Sequence, residues 1–222
     1  HELRTPLTSI IGALDLLRSG AFGRMPETAS PLLDMATGNS DRLHRLINDL
    51  LDTNRLMQDN LQLDMRVTDA VGIVRDVAAS LMPMALKDGM HLTLQVPERQ
   101  MVMADGERLA QVLVNLMANA IRFSRPGGEV IVRMAPEGGQ VRFSVQDFGQ
   151  GIDPSFASKA FTRFGQADAS DTRSQGGTGL GLFICKGLVE RMGGRIGYDS
   201  RPGEGATFWF SLPGGADDGA GV

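Results

Sequence analysis

The chain is short of the residues that several common site chemistries need. Its 222 residues include one cysteine, Cys185, which excludes an intramolecular disulfide and any Cys-x-x-Cys zinc pair. Set in an apolar run, that thiol reads as core filler. The three histidines, His1, His44 and His91, stand at no metal-ligand spacing. His1-Glu2 lacks the imidazole at i+4 that a His-Glu-x-x-His zinc helix requires, because Thr5 occupies that position. No apolar stretch approaches the roughly 18–20 residues that span a bilayer, and no signal peptide is visible. The stretch is therefore expected to be cytoplasmic, without a membrane segment of its own. Without an initiator Met it reads as a fragment of a longer protein that could itself be anchored. Positive charge is not in excess either: 22 Lys+Arg against 26 Asp+Glu give a net charge of −4. That balance argues against a nucleic-acid binder built on broad phosphate neutralisation. A hydrophobic share of 42% against 22% charged residues excludes wholesale disorder, and the length allows two small domains.

Glycine is plentiful instead, with 28 residues concentrated beyond position 127 and few in the first quarter. The first quarter carries a different signal. Leu3, Leu7, Ile10, Leu14 and Leu17 follow steps of 4, 3, 4 and 3, one stripe on a helix. Gly20 to Pro26 breaks the pattern, and a second stripe runs through Ala36, Leu43, Leu46, Leu50 and Met57, with Asn39 and Thr53 at the remaining seam positions. Residues 1–60 thus read as an antiparallel helical hairpin. Its narrow apolar seam predicts a homodimer, two hairpins closing a four-helix bundle. Residues 61–69 read as a linker or first strand, residues 70–213 as an α+β domain, and residues 214–222 as a flexible tail. Within the domain the spacing predicts a helix over 70–87 that Pro83 could disturb, and a long helix through Arg122 capped by Asp105. It also predicts a hairpin around Glu137-Gly138-Gly139, a helix over 178–192 and two closing strands.

Four stretches carry chemistry. His1-Glu2 sets an imidazole beside a carboxylate near a helix start, a nucleophile with a proton acceptor; alone it reads as an exposed helix end. Asn115 and Asn119 lie four apart on one helical face, offering amide oxygens that suit Mg²⁺, or else a polar helix edge. Arg122 lies within reach of a phosphate. Asp147-Phe-Gly149-Gln-Gly151 follows a predicted strand. A buried carboxylate there can accept from an exocyclic amine, and the glycines let backbone approach a flat ring; a tight turn would use the same residues. It is neither a Rossmann nor a Walker loop, and the kinase-like triplet has no His-Arg-Asp loop beside it. Gly176-Gly177-Thr178-Gly179-Leu180-Gly181 opens a predicted helix, where bare N–H groups cradle polyphosphate, although such starts also serve packing.

Taken in order, these stretches resemble the catalytic core of a sensor histidine kinase of two-component systems, and the resemblance runs from His1 to about Pro213. His1–Leu7 resembles the phosphoacceptor box, Asn115–Ser124 the N box, Asp147–Gly151 the G1 box, Phe161–Phe164 the F box and Gly177–Leu182 the G2 box. The resemblance implies a phosphotransfer hairpin, followed by a two-layer α/β sandwich ATP-binding domain of the type shared with gyrase, Hsp90 and MutL, with a mixed, largely antiparallel sheet. It implies His1 as phosphoacceptor, Glu2 as its acid/base partner, and Thr5 as the residue that positions water for dephosphorylating the regulator. Asn119 would hold Mg²⁺ with Asn115 assisting. ATP would be contacted by Arg122, Phe123, Asp147, Gly149, Gly151, Arg173, Gly177, Thr178, Gly179, Leu180 and Gly181, with Thr207 joining adenine recognition through water. The partner would be a response-regulator receiver domain, and the stretch from Phe164 to Arg173 resembles the lid of hybrid kinases. A gyrase-type ATPase and a non-catalytic signalling dimer are the competing readings.

Overall fold

The heptad spacing of the first sixty residues becomes, in the computed structural model, two packed helices, α1 (Arg4–Arg18) and α2 (Ser30–Met57). The structure describes residues 4–19, 28–58, 60–153, 159–165 and 179–215, together with Gly23, Pro26 and Phe156; Arg4 and Thr5 are described as backbone only. The chain divides into two units, residues 1–58 and 59–222. In the first, a proline occupies the opening turn of α2, where the missing N–H would have had no helical acceptor. Leu7 is buried, whereas Ile10, Leu43, Leu50 and Met57 of the predicted seam are about half exposed.

The second unit begins with β1 (Arg66–Asp69) and α3 (Ala70–Lys87). Asp69 caps α3, its carboxylate accepting from the Val71 N–H at 3.0 Å. The helix runs through Pro83 without a break. Pro83 and Ala79 are both exposed, so the carbonyl that loses its N–H partner is left to water rather than orphaned in the core. There follow β2 (His91–Gln95), β3 (Met101–Ala104), α4 (Gly106–Phe123), β4 (Glu129–Glu137), β5 (Gln140–Asp147), α5 (Gly181–Arg191), β6 (Arg195–Arg201) and β7 (Gly205–Pro213). The main sheet has the order β2-β4-β5-β7-β6; the β2–β4 pair is parallel and the rest antiparallel. β1 and β3 form a separate antiparallel ribbon. The fold is α+β: a helical hairpin, then a two-layer sandwich with a mixed, largely antiparallel sheet.

Alternation sorts the sheet into two faces. Val141, Phe143, Val145 and Asp147 of β5 are buried, while the residues between them are only half-buried. Phe143 and Phe210 are direct cross-strand partners and stack with centroids 4.5 Å apart. Helices α3, α4 and α5 cover this face. On the other face Arg142 lies over the Trp209 ring at 4.3 Å. A Cβ on Gly197, the cross-strand partner of Trp209, would meet the indole at 2.5 Å. Gly214 bridges Val102, and the Gly215 N–H donates to the Met101 carbonyl at 3.0 Å. The segment expected as a tail from residue 214 is thus tethered over its first two residues; 216–222 lie outside the described residues.

Candidate functional site

Helix α4 supplies the first wall of the site, and its position starts at Asp105. One carboxylate oxygen accepts from the N–H groups of Glu107 and Arg108 at 3.1 and 3.2 Å, the other from the Asp64 N–H at 3.0 Å. The side chain thereby caps the helix and holds the incoming chain. Seven apolar residues from Leu109 to Ile121 bury one side of the helix. Asn115, Asn119 and Arg122 lie at its half-buried margin, and Phe123 ends it, exposed. Neither Asn115 nor Asn119 makes a side-chain hydrogen bond among the described residues. Two uncommitted amide oxygens one turn apart are a donor set that fits a hard, partly hydrated cation. A site of three or more His, Cys, Asp or Glu ligands is absent among the described residues.

Helix α5 abuts this margin. Its buried Cys185 thiol lies 3.9 Å from the Val112 carbonyl of α4. A Cβ added to Gly181 would come within 3.4 Å of Asn115 Oδ1, so the glycine-rich helix start and the asparagine pair are neighbours. Leu180 is buried, and its carbonyl accepts the Ile184 N–H at 2.9 Å; the helix begins at Gly181, three residues later than the sequence predicts. Gly179 has φ +69°. His1, Glu2, Arg173, Gly177, Thr178 and the Thr5 side chain lie outside the described residues.

The third wall is the end of β5. The Asp147 carboxylate is buried, 5% exposed. Its Oδ1 accepts from the Gly149 N–H at 2.9 Å and the Ala206 N–H at 3.3 Å. Its Oδ2 accepts no hydrogen bond among the described residues. Burial pushes the carboxyl above its ordinary value, against the opposing pull of the two N–H groups. Backbone crowding explains the glycines. A Cβ on Gly149 would sit 2.0 Å from the Phe123 carbonyl, and one on Gly205 2.1 Å from the Asp147 carbonyl. The Asp147 loop is therefore clasped between the end of α4 and the start of β7.

Thr207 pairs with Gln146 and Asp199, and strand alternation sets it on the sheet face opposite Asp147. At this strand end Thr207 and Asp147 nevertheless line one cavity of about 330 Å³, together with Ser200, Arg201, Glu204 and Ala206. Ala206 shares Asp147's face and contacts it through its N–H. A backbone donor carries no side-chain signal, which is why the sequence does not show it; only the glycine before it marks the close approach.

Comparison with known proteins sharpens the picture. Residues 1–59 match the family described as His Kinase A (phospho-acceptor) domain. Residues 104–216 match the histidine kinase-, DNA gyrase B-, and HSP90-like ATPase family. The chain is 37% identical over 216 residues to the circadian input-output histidine kinase CikA of Synechococcus elongatus, covering 96% of this chain and 29% of the relative. It is 38% identical over 218 residues to the sensor protein GacS of Pseudomonas syringae pv. syringae, covering 96% of this chain and 24% of the relative. The chain thus spans about a quarter of the length of these curated relatives. Among solved structures, full-length ShkA in complex with AMPPNP superposes with a TM-score of 0.76 at 33% identity, covering 96% of this chain and 44% of ShkA. The catalytic domain of histidine kinase ThkA matches with a TM-score of 0.60 at 28% identity, covering 68% of this chain and 96% of ThkA's.

Proposed function

We propose a function that proceeds from one premise: the chain belongs to the sensor histidine kinase family, with a phosphoacceptor domain at residues 1–59 and an ATPase-type domain at residues 104–216. It is the core of a protein-histidine kinase that moves the γ-phosphoryl group of ATP to His1, and from His1 to an aspartate on a response-regulator receiver domain. The observation that carries this reading is the convergence of three chemistries in one unit. The Asn115–Asn119 amides are uncommitted, the start of α5 stands against Asn115, and Asp147 keeps one carboxylate oxygen open. AMPPNP in the ShkA complex supports a nucleotide in the corresponding place.

Each wall then has a task. Asp147 Oδ2 accepts from the exocyclic amine of adenine, and the loop at Gly149 and Gly151 lets the ring approach the backbone. Asn119, assisted by Asn115, holds Mg²⁺, which when bound offsets phosphate charge. Arg122 contacts phosphate, and the segment from Arg173 through Gly177, Thr178, Gly179, Leu180 and Gly181 borders the phosphate tail. An imidazole nitrogen of His1 attacks the γ-phosphorus in line. The N–P bond forms as the bond to the β-phosphate oxygen breaks, ADP leaves, and Glu2 takes the imidazole proton. The receiver's aspartate displaces that nitrogen in the second step, giving an acyl phosphate. Thr5 positions the water that hydrolyses the acyl phosphate when the chain works as a phosphatase. Two copies pair through residues 1–60.

Incubation of the full chain with γ-labelled ATP tests the kinase step. Acid-labile, base-stable label is expected on the protein and absent in His1→Gln. Label persisting in that variant would remove His1 from the reaction. Phosphate release without protein label would replace the kinase with a gyrase-type ATPase.

A further inference from the structure

Asp147 does not hold its own position. The loop that follows it is fastened to the β6–β7 turn at two points. The Gly203 N–H donates to the Gln150 carbonyl at 2.7 Å, and the Ile152 N–H donates to the Ser200 hydroxyl at 2.8 Å. The same hydroxyl donates its proton to the Gly205 carbonyl at 2.8 Å. Because Ser200 Oγ accepts from one side of the cleft and donates to the other, its rotor is fixed and both backbones are held at once. Ser200 is the cross-strand partner of Ala206, so it lies on Asp147's face of the sheet. Gly205 directly precedes Ala206, whose N–H reaches Asp147 Oδ1. Gly151 fits the joint tightly: with φ +71°, a Cβ there would meet the Arg201 carbonyl at 2.2 Å and the Gly205 carbonyl at 3.2 Å.

From this arrangement we infer that Ser200 is a positioning residue for base selection: its hydroxyl ties the Asp147–Ile152 loop to the start of β7 and so aims Asp147 Oδ2 at the exocyclic amine of adenine. The inference rests on the nucleotide reading given above. Guanine presents a carbonyl where adenine presents that amine. A fixed, ionised carboxylate oxygen repels the carbonyl, and a loosened one discriminates less. In this role Ser200 acts through Asp147.

The test is calorimetric binding of AMPPNP and GMPPNP, each with Mg²⁺, to the full chain and to Ser200→Ala, Ser200→Cys and Ser200→Thr. Ser200→Ala is expected to weaken AMPPNP about tenfold, the scale of one or two lost polar contacts. GMPPNP should change less than about twofold, so the adenine preference shrinks severalfold. Ser200→Thr, which keeps the hydroxyl, is expected to restore that preference. Ser200→Cys, near-isosteric and a weak donor, gives the same readout should the alanine variant not fold. An adenine preference unchanged in the folded variants, with or without a lower melting temperature, would overturn the role of Ser200. Failure of the unsubstituted chain to bind AMPPNP would instead overturn the nucleotide reading itself.

Discussion

A buried carboxylate with one oxygen pinned and the other open is a costly thing for a fold to keep, and Asp147 shows the cost in its titration. Burial raises its pKa above the ordinary 3.8, and the N–H groups of Gly149 and Ala206 only partly offset it. A carboxyl that binds its proton more tightly folded than unfolded lowers stability wherever it is ionised, and that loss fades as the pH falls through the raised pKa. Asp147→Asn keeps an oxygen for the two N–H groups but carries no charge. It is therefore expected to melt higher than the unsubstituted chain at neutral pH, with the difference shrinking as the pH is lowered toward about 4; thermal denaturation across that range checks it. Its amide nitrogen would face the adenine amine donor to donor, so affinity for adenine nucleotides should fall at least about tenfold by calorimetry. Stability gained with binding lost is the signature of a residue kept for function. At this scale the sequence is informative where a side chain acts and silent where backbone does. Asp147, Asn115 and Asn119 stand out by residue type and spacing. The Ala206 N–H has no counterpart in the sequence, whereas Thr207, one position along, is visible there by its side chain and lines the same cavity as Asp147.

Elements with a cap and a clean period are the legible ones. Helix α4 is readable because Asp105 precedes an apolar run at helical spacing and Pro126 follows shortly after its end. Helix α5 is readable in its body but not at its start, since Thr178 is the cap type that the sequence offers while the helix begins at Gly181 after Leu180, which caps without a side-chain bond. Pro83 suggests an interruption that exposure makes unnecessary. The cap on α4 leads to a prediction that belongs to the whole helix. Asp105 is 9% exposed and accepts from three backbone N–H groups, two of α4 and that of Asp64. Asp105→Ala should lower stability by about 2 kcal/mol, the upper end for an N-cap, measured as a lower urea midpoint. Asp105→Asn, which retains an acceptor oxygen for the helix, should recover most of it. Because α4 carries Asn115, Asn119 and Arg122, Asp105→Ala should also weaken Mg²⁺-dependent nucleotide binding more than Mg²⁺-independent binding.

Across the whole molecule, local pattern shows which segments are strands but not which edges meet. The parallel β2–β4 pair and the β5–β7 pair join residues about forty and about sixty to seventy positions apart, and no turn signal spans such distances. The one long-range arrangement that the sequence does announce is the seam of the first unit, because an apolar stripe with nothing to cover it demands a partner. Ile10, Leu43, Leu50 and Met57 of the seam are each about half exposed on the hairpin, as are Leu16, Leu32 and Met35 beside it. A second copy is the proposed occupant of this surface, since an identical hairpin would present the same seam and a two-fold pairing would close both at once. Light scattering coupled to gel filtration should give twice the 23.8 kDa chain mass. Leu43→Asp/Leu50→Asp, which places two charges in the seam, should return a single chain mass. The residues proposed to hold the nucleotide all belong to the second unit, so AMPPNP affinity should survive the change. His1 labelling should fall if the donor site and the acceptor histidine meet across the pair, and should persist if they meet within one chain.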